Sequence, residues 1–219
     1  ISTAQWEITK DGNTLIQPLS SIKGMGDKAI EQIISNRPFN SPEELLFNEN
    51  VVYSKLNKKA LQAMAESGAL DSLVDERFTG LKHFTESCVM NRPKTKKKMI
   101  QHIDEYKVEE DYTPEERIEH ISSRTGIYPF DLVMTPEIRE MVDRYKVPPL
   151  GNWDQALKSA WFIPRLITKR KTKTGREYWI VKVIDETSTI STIRCWGIVP
   201  GSDVLHLNRV YASALEYHP

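Results

Sequence analysis

Up to about residue 158 the apolar positions of this chain recur at helical spacing; beyond it they recur at every second position. In the first part, Ala29, Ile30, Ile33 and Ile34 predict a helix that Pro38 ends. Ser41-Pro42-Glu43-Glu44 opens the next, with Ser41 as cap, Pro42 at the first helical position and Glu44 completing a capping box. Asn57 caps a third through Ala60, Leu61, Met64 and Ala65, and Gly68 closes it. Asp71 to Val89 continues the helical pattern, with Leu81, Phe84 and Cys88 on one face. Thr113-Pro114-Glu115-Glu116 is a second capping box, opening a helix with Ile118 and Ile121 that Gly126-Ile127-Tyr128-Pro129-Phe130 breaks. Thr135-Pro136 starts another, whose apolar face is Ile138, Met141, Val142 and Tyr145. Ahead of all of them, Trp6 and Ile8 alternate with polar neighbours and Asp11-Gly12 marks a turn.

Pro148-Pro149-Leu150-Gly151 is the clearest break in the chain. After it, Trp161–Lys169, Glu177–Asp185, Thr189–Trp196 and Arg209–Glu216 read as strands. Lys173-Thr174-Gly175-Arg176 joins the first pair and Asp185 to Ser188 the second. Trp179, Val181 and Val183 form a wholly apolar face and point inward; Tyr178, Ile180 and Lys182 point outward. On the next strand Ser191, Ile193 and Cys195 point inward, Thr192, Arg194 and Trp196 outward. A short antiparallel meander with a basic hairpin and outward aromatics suits an OB-type barrel, which stacks unpaired bases on aromatics beside cations. Such a barrel needs a fifth strand, which either follows Pro219 or pairs differently.

The helical part is organised around Ile22-Lys23-Gly24-Met25-Gly26, between the apolar lead-in Leu15, Ile16, Leu19, Ile22 and the helix from Ala29. An apolar-x-Gly-apolar-Gly turn between two helical patterns is the signature of a helix-hairpin-helix. Its glycines can take φ > 0 and bring the backbone close to a phosphate, and the amides that follow open a helix whose dipole favours an anion. Lys23 and Lys28 add charge. Tyr53-Ser54-Lys55-Leu56-Asn57-Lys58-Lys59 occupies the place of a second hairpin; it has no glycine pair, but Lys55, Asn57, Lys58 and Lys59 can touch a backbone.

Composition leaves the partner to local charge. The 219 residues are 39% hydrophobic and 27% charged with zero net charge, as in an ordinary globular protein. Charge is segregated: Arg92, Lys94, Lys96, Lys97 and Lys98 form one basic run, Arg165 to Arg176 a second without an acid, and Asp104 to Glu119 between them is acidic. Cys88 and Cys195 form no CxxC pair and no secretory segment is visible, which predicts a reduced, cytoplasmic protein. No run approaches the ~18 apolar residues of a membrane span. The histidines lack metal spacing, and the acidic clusters Asp104-Glu105, Glu109-Glu110-Asp111 and Glu115-Glu116 fit solvated helices and linkers. The chain starts with Ile1, which suits a piece of a longer polypeptide, as would trimming.

This order of parts resembles the C-terminal half of bacterial DNA polymerase III alpha subunits, the C-family replicative polymerases. The resemblance rests on Leu19-x-x-Ile22-Lys23-Gly24-Met25-Gly26, on Arg37-Pro38-Phe39-Asn40-Ser41-Pro42-Glu43-Glu44-Leu45, and on Leu56-Asn57-Lys58-Lys59-Ala60-Leu61 through Gly68-Ala69-Leu70-Asp71. Lys173-x-Gly175 and Val183-Ile184-Asp185-Glu186-Thr187 are similar to that family's OB domain. The middle departs: Gly126-Ile127-Tyr128-Pro129 lacks the family's His, and no clamp-binding peptide lies between the domains, Glu44-Leu45-Leu46-Phe47 sitting inside the hairpin part.

The resemblance implies an α+β multidomain chain: a tandem helix-hairpin-helix module over 1–90, a charged helical linker over 91–150, and an OB-type barrel over 151–219. It implies a DNA-binding portion of a replicative polymerase acting on duplex and single-stranded DNA at a primer-template, with the sliding clamp and other replisome proteins as partners. Lys23, Gly24, Met25, Gly26, Lys28, Lys55, Asn57, Lys58 and Lys59 would grip duplex phosphates. Lys169, Arg170, Lys171, Lys173, Arg176, Tyr178, Lys182, Arg194 and Trp196 would hold unpaired template. The nucleotidyl-transfer carboxylates and their Mg²⁺ belong to a catalytic domain that has no counterpart here, so no catalytic residue and no cofactor is expected in this chain. The alternative is a free-standing, non-catalytic adaptor that docks on a polymerase or clamp.

Overall fold

The computed structural model describes residues 6–8, 15–197 and 204–217, so the turn expected at Asp11-Gly12 lies outside the described residues. Packing divides the chain into two compact units, Ile1–Tyr128 and Pro129–Pro219.

In the first unit, two-residue strands β1 (Glu7–Ile8) and β2 (Leu15–Ile16) pair antiparallel and lead into helices α1 (Asp27–Asn36), α2 (Pro42–Phe47) and α3 (Lys58–Glu66). Then come α4 (Leu81–Phe84), continued by a π-helical turn over Thr85–Met90, α5 (Lys96–Glu105) and α6 (Pro114–Thr125). The starts are those the caps dictate. Ser41 accepts from the Glu44 N–H, Asn57 from Ala60 and Thr95 from Lys98, while Thr113 and Glu116 complete a reciprocal capping box. Gly126 ends α6 in the left-handed region at φ 74°.

Two helical expectations change. The lead-in to the first hairpin is β2 and a 3-10 turn over Leu19–Ser21 instead of a helix, because Pro18 holds an extended conformation immediately before it. The pattern expected from Asp71 to Val89 becomes a 3-10 turn at Asp71–Leu73 and then a helix from Leu81. In between, the Asp75 carboxylate accepts from the Arg77 backbone N–H, and the Asp111 carboxylate takes the Leu81 and Lys82 amides as the cap of α4.

Leu45, Leu56, Leu61, Ala63, Phe84, Cys88, Val89 and Met99 are at most 1% exposed and belong to one core drawn from α1 through α5. Each large apolar side chain so buried contributes about 1.5–3 kcal/mol relative to exposure. Leu45 and Leu46, the apolar part of the Glu44–Phe47 peptide, are therefore core residues. The segment from 91 onward contributes to this packing too, for Met99 of α5 is in the core and Ile118 of α6 is buried.

The second unit holds α7 (Pro136–Arg144) and strands β3 (Ser159–Lys171), β4 (Glu177–Ile184), β5 (Ile190–Trp196) and β6 (Tyr211–Ala214), in the sheet order β5-β4-β3-β6. β3 is long and divides its partners. Ser159–Phe162 pair with β6, Ile163–Lys171 with β4, and an irregularity between Pro164 and Leu166 lets the strand curl. The result is a curled, antiparallel, four-stranded half-barrel. β6 pairs with β3 and not with its neighbour in the chain, so the sheet is not a simple meander. Phe162, Trp179, Val181 and Val183 fill its inner face. Asp185, fully buried, accepts from Gly151 N–H, Thr187 N–H and Thr187 Oγ1, which holds the β4–β5 turn against Gly151. The apolar stripe of α7 is less covered than its pattern suggests: Met141 and Tyr145 are exposed.

Candidate nucleic-acid interface

Two loops converge in the first unit. Gly24, Gly26, Asp27, Lys28 and Ala29 of the first hairpin and Ser54, Lys55, Asn57, Lys59 and Ala60 of the second line one shallow, open groove of about 540 Å³. The starts of α1 and α3 therefore meet at one surface. No side chain among the described residues caps α1; the Ala29 N–H donates to the Gly26 carbonyl at 2.9 Å, which leaves the Asp27 and Lys28 amides to solvent or to a ligand. Lys23, Lys28, Lys58 and Lys59 are exposed, and Lys55 is half-buried. Met25 packs against the core, which anchors the loop while its flanking glycines stay at the surface.

The two glycines have different reasons. Gly24 sits at φ 103°, and a Cβ there would stand 3.1 Å from Arg124 Nη1 and 3.2 Å from Ala63 Cβ. Gly26 is extended, at φ −103°, and a Cβ there would meet nothing within 4 Å. The expectation that both serve positive φ thus holds only for Gly24; Gly26 is the open helix cap.

What holds the loop in place comes from far along the chain. The Lys23 N–H donates to the Arg124 carbonyl at 2.8 Å, and Arg124 Nη1 returns a bond to the Lys23 carbonyl at 3.1 Å. Arg124 Nε also donates to Glu66 Oε2 at 2.5 Å, so the end of α6, the first hairpin and the end of α3 are tied at one guanidinium. Burial works against the Glu66 charge, but the hydrogen bonds from Arg124 and Gln62 outweigh it and hold the carboxyl below its ordinary 4.5. The second loop has its own brace. Arg92 donates to the Leu56 carbonyl and lies over the Tyr53 ring, 3.9 Å from its centroid. Neither arginine belongs to a hairpin motif, and no local pattern marks them; both act across the tertiary fold. Asp27 and Ser54 also line the groove without having been expected there, although an acid at the first position of a helix is a common dipole partner.

In the second unit the register builds an outward face row by row. Arg170, Tyr178 and Trp196 are cross-strand partners in one row; Thr168, Ile180 and Arg194 form the next; Leu166, Lys182 and Thr192 the third. Tyr178 and Trp196 stack at 4.5 Å between centroids with an 18° interplanar angle, and Arg176 lies over the Trp196 ring at 5.5 Å. Trp196 is 45% exposed. Lys173 is exposed in the hairpin that Gly175 turns at φ 84°. Lys169 and Lys171 are the exceptions. They pair with Trp179 and Glu177 on the opposite face, where Lys169 Nζ sits 5.0 Å from the Trp179 ring. They therefore do not share the face of Tyr178 and Trp196.

Among the described residues no group of His, Cys, Asp or Glu could hold a metal ion. Burial pushes the Cys88 thiol up to about 11, which keeps it an inert core side chain. No helix among the described residues is long and apolar enough to cross a membrane.

A family model described as a helix-hairpin-helix motif matches residues 1–80. DNA polymerase III subunit alpha of Helicobacter pylori strain 26695 is 38% identical over 81 residues, covering 36% of this chain and 6% of that protein. The Xylella fastidiosa subunit is 39% identical over 67 residues, covering 30% and 6%, and that of Pseudomonas aeruginosa 28% identical over 95 residues, covering 42% and 8%. The chain thus spans less than a tenth of the length of these curated relatives. Its first unit carries a helix-hairpin-helix region of the kind found in DNA polymerase III alpha subunits.

Proposed function

We propose that this chain is the DNA-holding portion of a replicative polymerase of the polymerase III alpha type, without catalytic groups of its own. The observation that carries the reading is the shared groove. Two hairpin loops, an uncapped helix start and three lysines meet there, an arrangement suited to sugar-phosphate backbone and blind to sequence. Duplex DNA lies along the groove, its phosphates against the Gly24–Lys28 turn and the Lys55–Lys59 turn. The half-barrel acts as an OB-type domain: bases of the unpaired template stack on Trp196 and Tyr178, with Arg170, Arg176, Lys182 and Arg194 against the backbone. The partner is a primer-template, and the metal-dependent step belongs to the polymerase's catalytic domain.

Hydroxyl-radical footprinting on a primer-template tests this directly. Protection is expected on the duplex backbone and on the single-stranded template beside it, with Gly24→Val removing the first and Trp196→Ala the second. Protection of neither part would overturn the reading and favour a non-catalytic adaptor that docks on a polymerase or clamp.

A further inference from the structure

The charges of α5 run against its own dipole. Lys96, Lys97 and Lys98 occupy its first turn, where backbone N–H groups already present positive charge, and Asp104 and Glu105 close its last turn, where negative charge is disfavoured. An arrangement made for helix stability would be the reverse. The three lysines are exposed and, among the described residues, form no ion pair; of the three ammonium groups there, Lys98 Nζ alone has a protein partner, the Gln101 amide oxygen at 3.0 Å. Nor is the run a detached linker. Arg92, four residues ahead of Lys96, is fixed to the Leu56 carbonyl and the Tyr53 ring, so the basic turn is tied to the loop that leads into Lys58 and Lys59 at the start of α3. The acidic end of α5 lies about 15 Å away along the helix.

We propose that the first turn of α5 is a third contact for duplex DNA, extending the hairpin groove past the second loop, with Lys96, Lys97 and Lys98 on phosphates beyond those the hairpins hold. The inference rests on the DNA-binding reading above. In this arrangement the helix gives up stability for a local positive field in a chain whose net charge is zero, and the acidic end of the same helix repels phosphate.

The test is duplex binding across a salt series by the wild-type chain, the Lys96→Gln/Lys97→Gln/Lys98→Gln variant and Gly24→Val, with thermal unfolding of each. The triple variant is expected to bind about tenfold more weakly at low salt and to lose roughly two to three from the slope of log K against log salt, at about 0.9 per phosphate contact. Its midpoint of unfolding should stay level or rise, because cations leave a helix start. A triple variant with wild-type affinity and slope would overturn the inference and assign the patch to an acidic protein partner. A triple variant with a lowered midpoint would overturn it too, by making the lysines structural. If the wild type binds and only Gly24→Val weakens it, this inference fails and the hairpin reading stands; if the wild type does not bind, both fail.

Discussion

Arg124 Nη1 donates to the Lys23 carbonyl across 101 positions of sequence, while the Arg124 carbonyl accepts the Lys23 N–H at 2.8 Å. One residue at the end of α6 therefore sets the path of the hairpin turn from both sides, and Glu66 fixes the guanidinium in turn. Arg124→Ala is expected to cost about 1–3 kcal/mol, the range for charge-assisted hydrogen bonds lost from a partly buried site. It should also weaken duplex binding, because the Lys23–Gly24 turn loses its brace. Thermal unfolding and the backbone amide shifts of residues 22–27 check the two effects separately.

The Glu66 bond has a pH signature. Its folded pKa lies below the ordinary 4.5, so its contribution is complete above that value and is lost as pH falls through the lower folded one. The stability gap between wild type and Glu66→Gln should be constant from neutral pH down to about 5 and close below it. A gap that widens in acid would mean that burial outweighs the hydrogen bonds and raises the folded pKa instead.

Gly24 and Gly26 separate folding from binding. Gly24→Ala forces a Cβ into φ 103° beside Ala63 and is expected to cost about 1–2 kcal/mol. Gly26→Ala meets open space but puts a poor N-cap residue in place of a good one, and should cost about 0.5–1 kcal/mol. If phosphate docks on the uncapped start of α1, Gly26→Ala should nonetheless weaken duplex binding severalfold. Unfolding midpoints beside titrations resolve the pair.

Much of this was legible along the chain, and the physical reason is locality. Caps at Ser41, Asn57, Thr113 and Thr135 act within three residues, so the starts of α2, α3, α6 and α7 could be read directly. Period-two alternation likewise placed Trp179, Val181 and Val183 inside the sheet and Arg194 and Trp196 outside. What stayed hidden depends on distance. The braces by Arg124 and Arg92 follow from tertiary packing, the pairing of β6 with β3 from the curl of a long strand, and the split of Lys169 and Lys171 from Tyr178 from their register with β4. The acidic and basic runs looked like linker because their composition is that of solvated chain, yet Met99 and Ile118 carry them into packed helices.

Asp27 lines the groove as its sole acid and sits at the first position of α1, where it suits the helix dipole and opposes phosphate. Asp27→Asn is expected to cost about 0.3–1 kcal/mol of stability and to raise duplex affinity severalfold. Equal affinity in the two proteins would put the DNA path away from α1.

Trp196 is stacked on Tyr178 and faced by Arg176, yet is 45% exposed, so a base that stacks on it displaces the guanidinium from its ring. Single-stranded DNA should quench its fluorescence, and Trp196→Ala should lose about 1–3 kcal/mol of single-strand binding with duplex binding unaltered. Lys169→Ala, on the other face, should leave single-strand binding nearly unchanged.

The most direct test of the central claim is fluorescence anisotropy of a labelled duplex titrated with this chain over a salt series, beside Gly24→Val. The expected result is binding at low salt that is indifferent to sequence, weakens steeply and linearly in log salt, and falls in the variant. Absence of binding at low salt, or binding insensitive both to salt and to Gly24, would contradict the account.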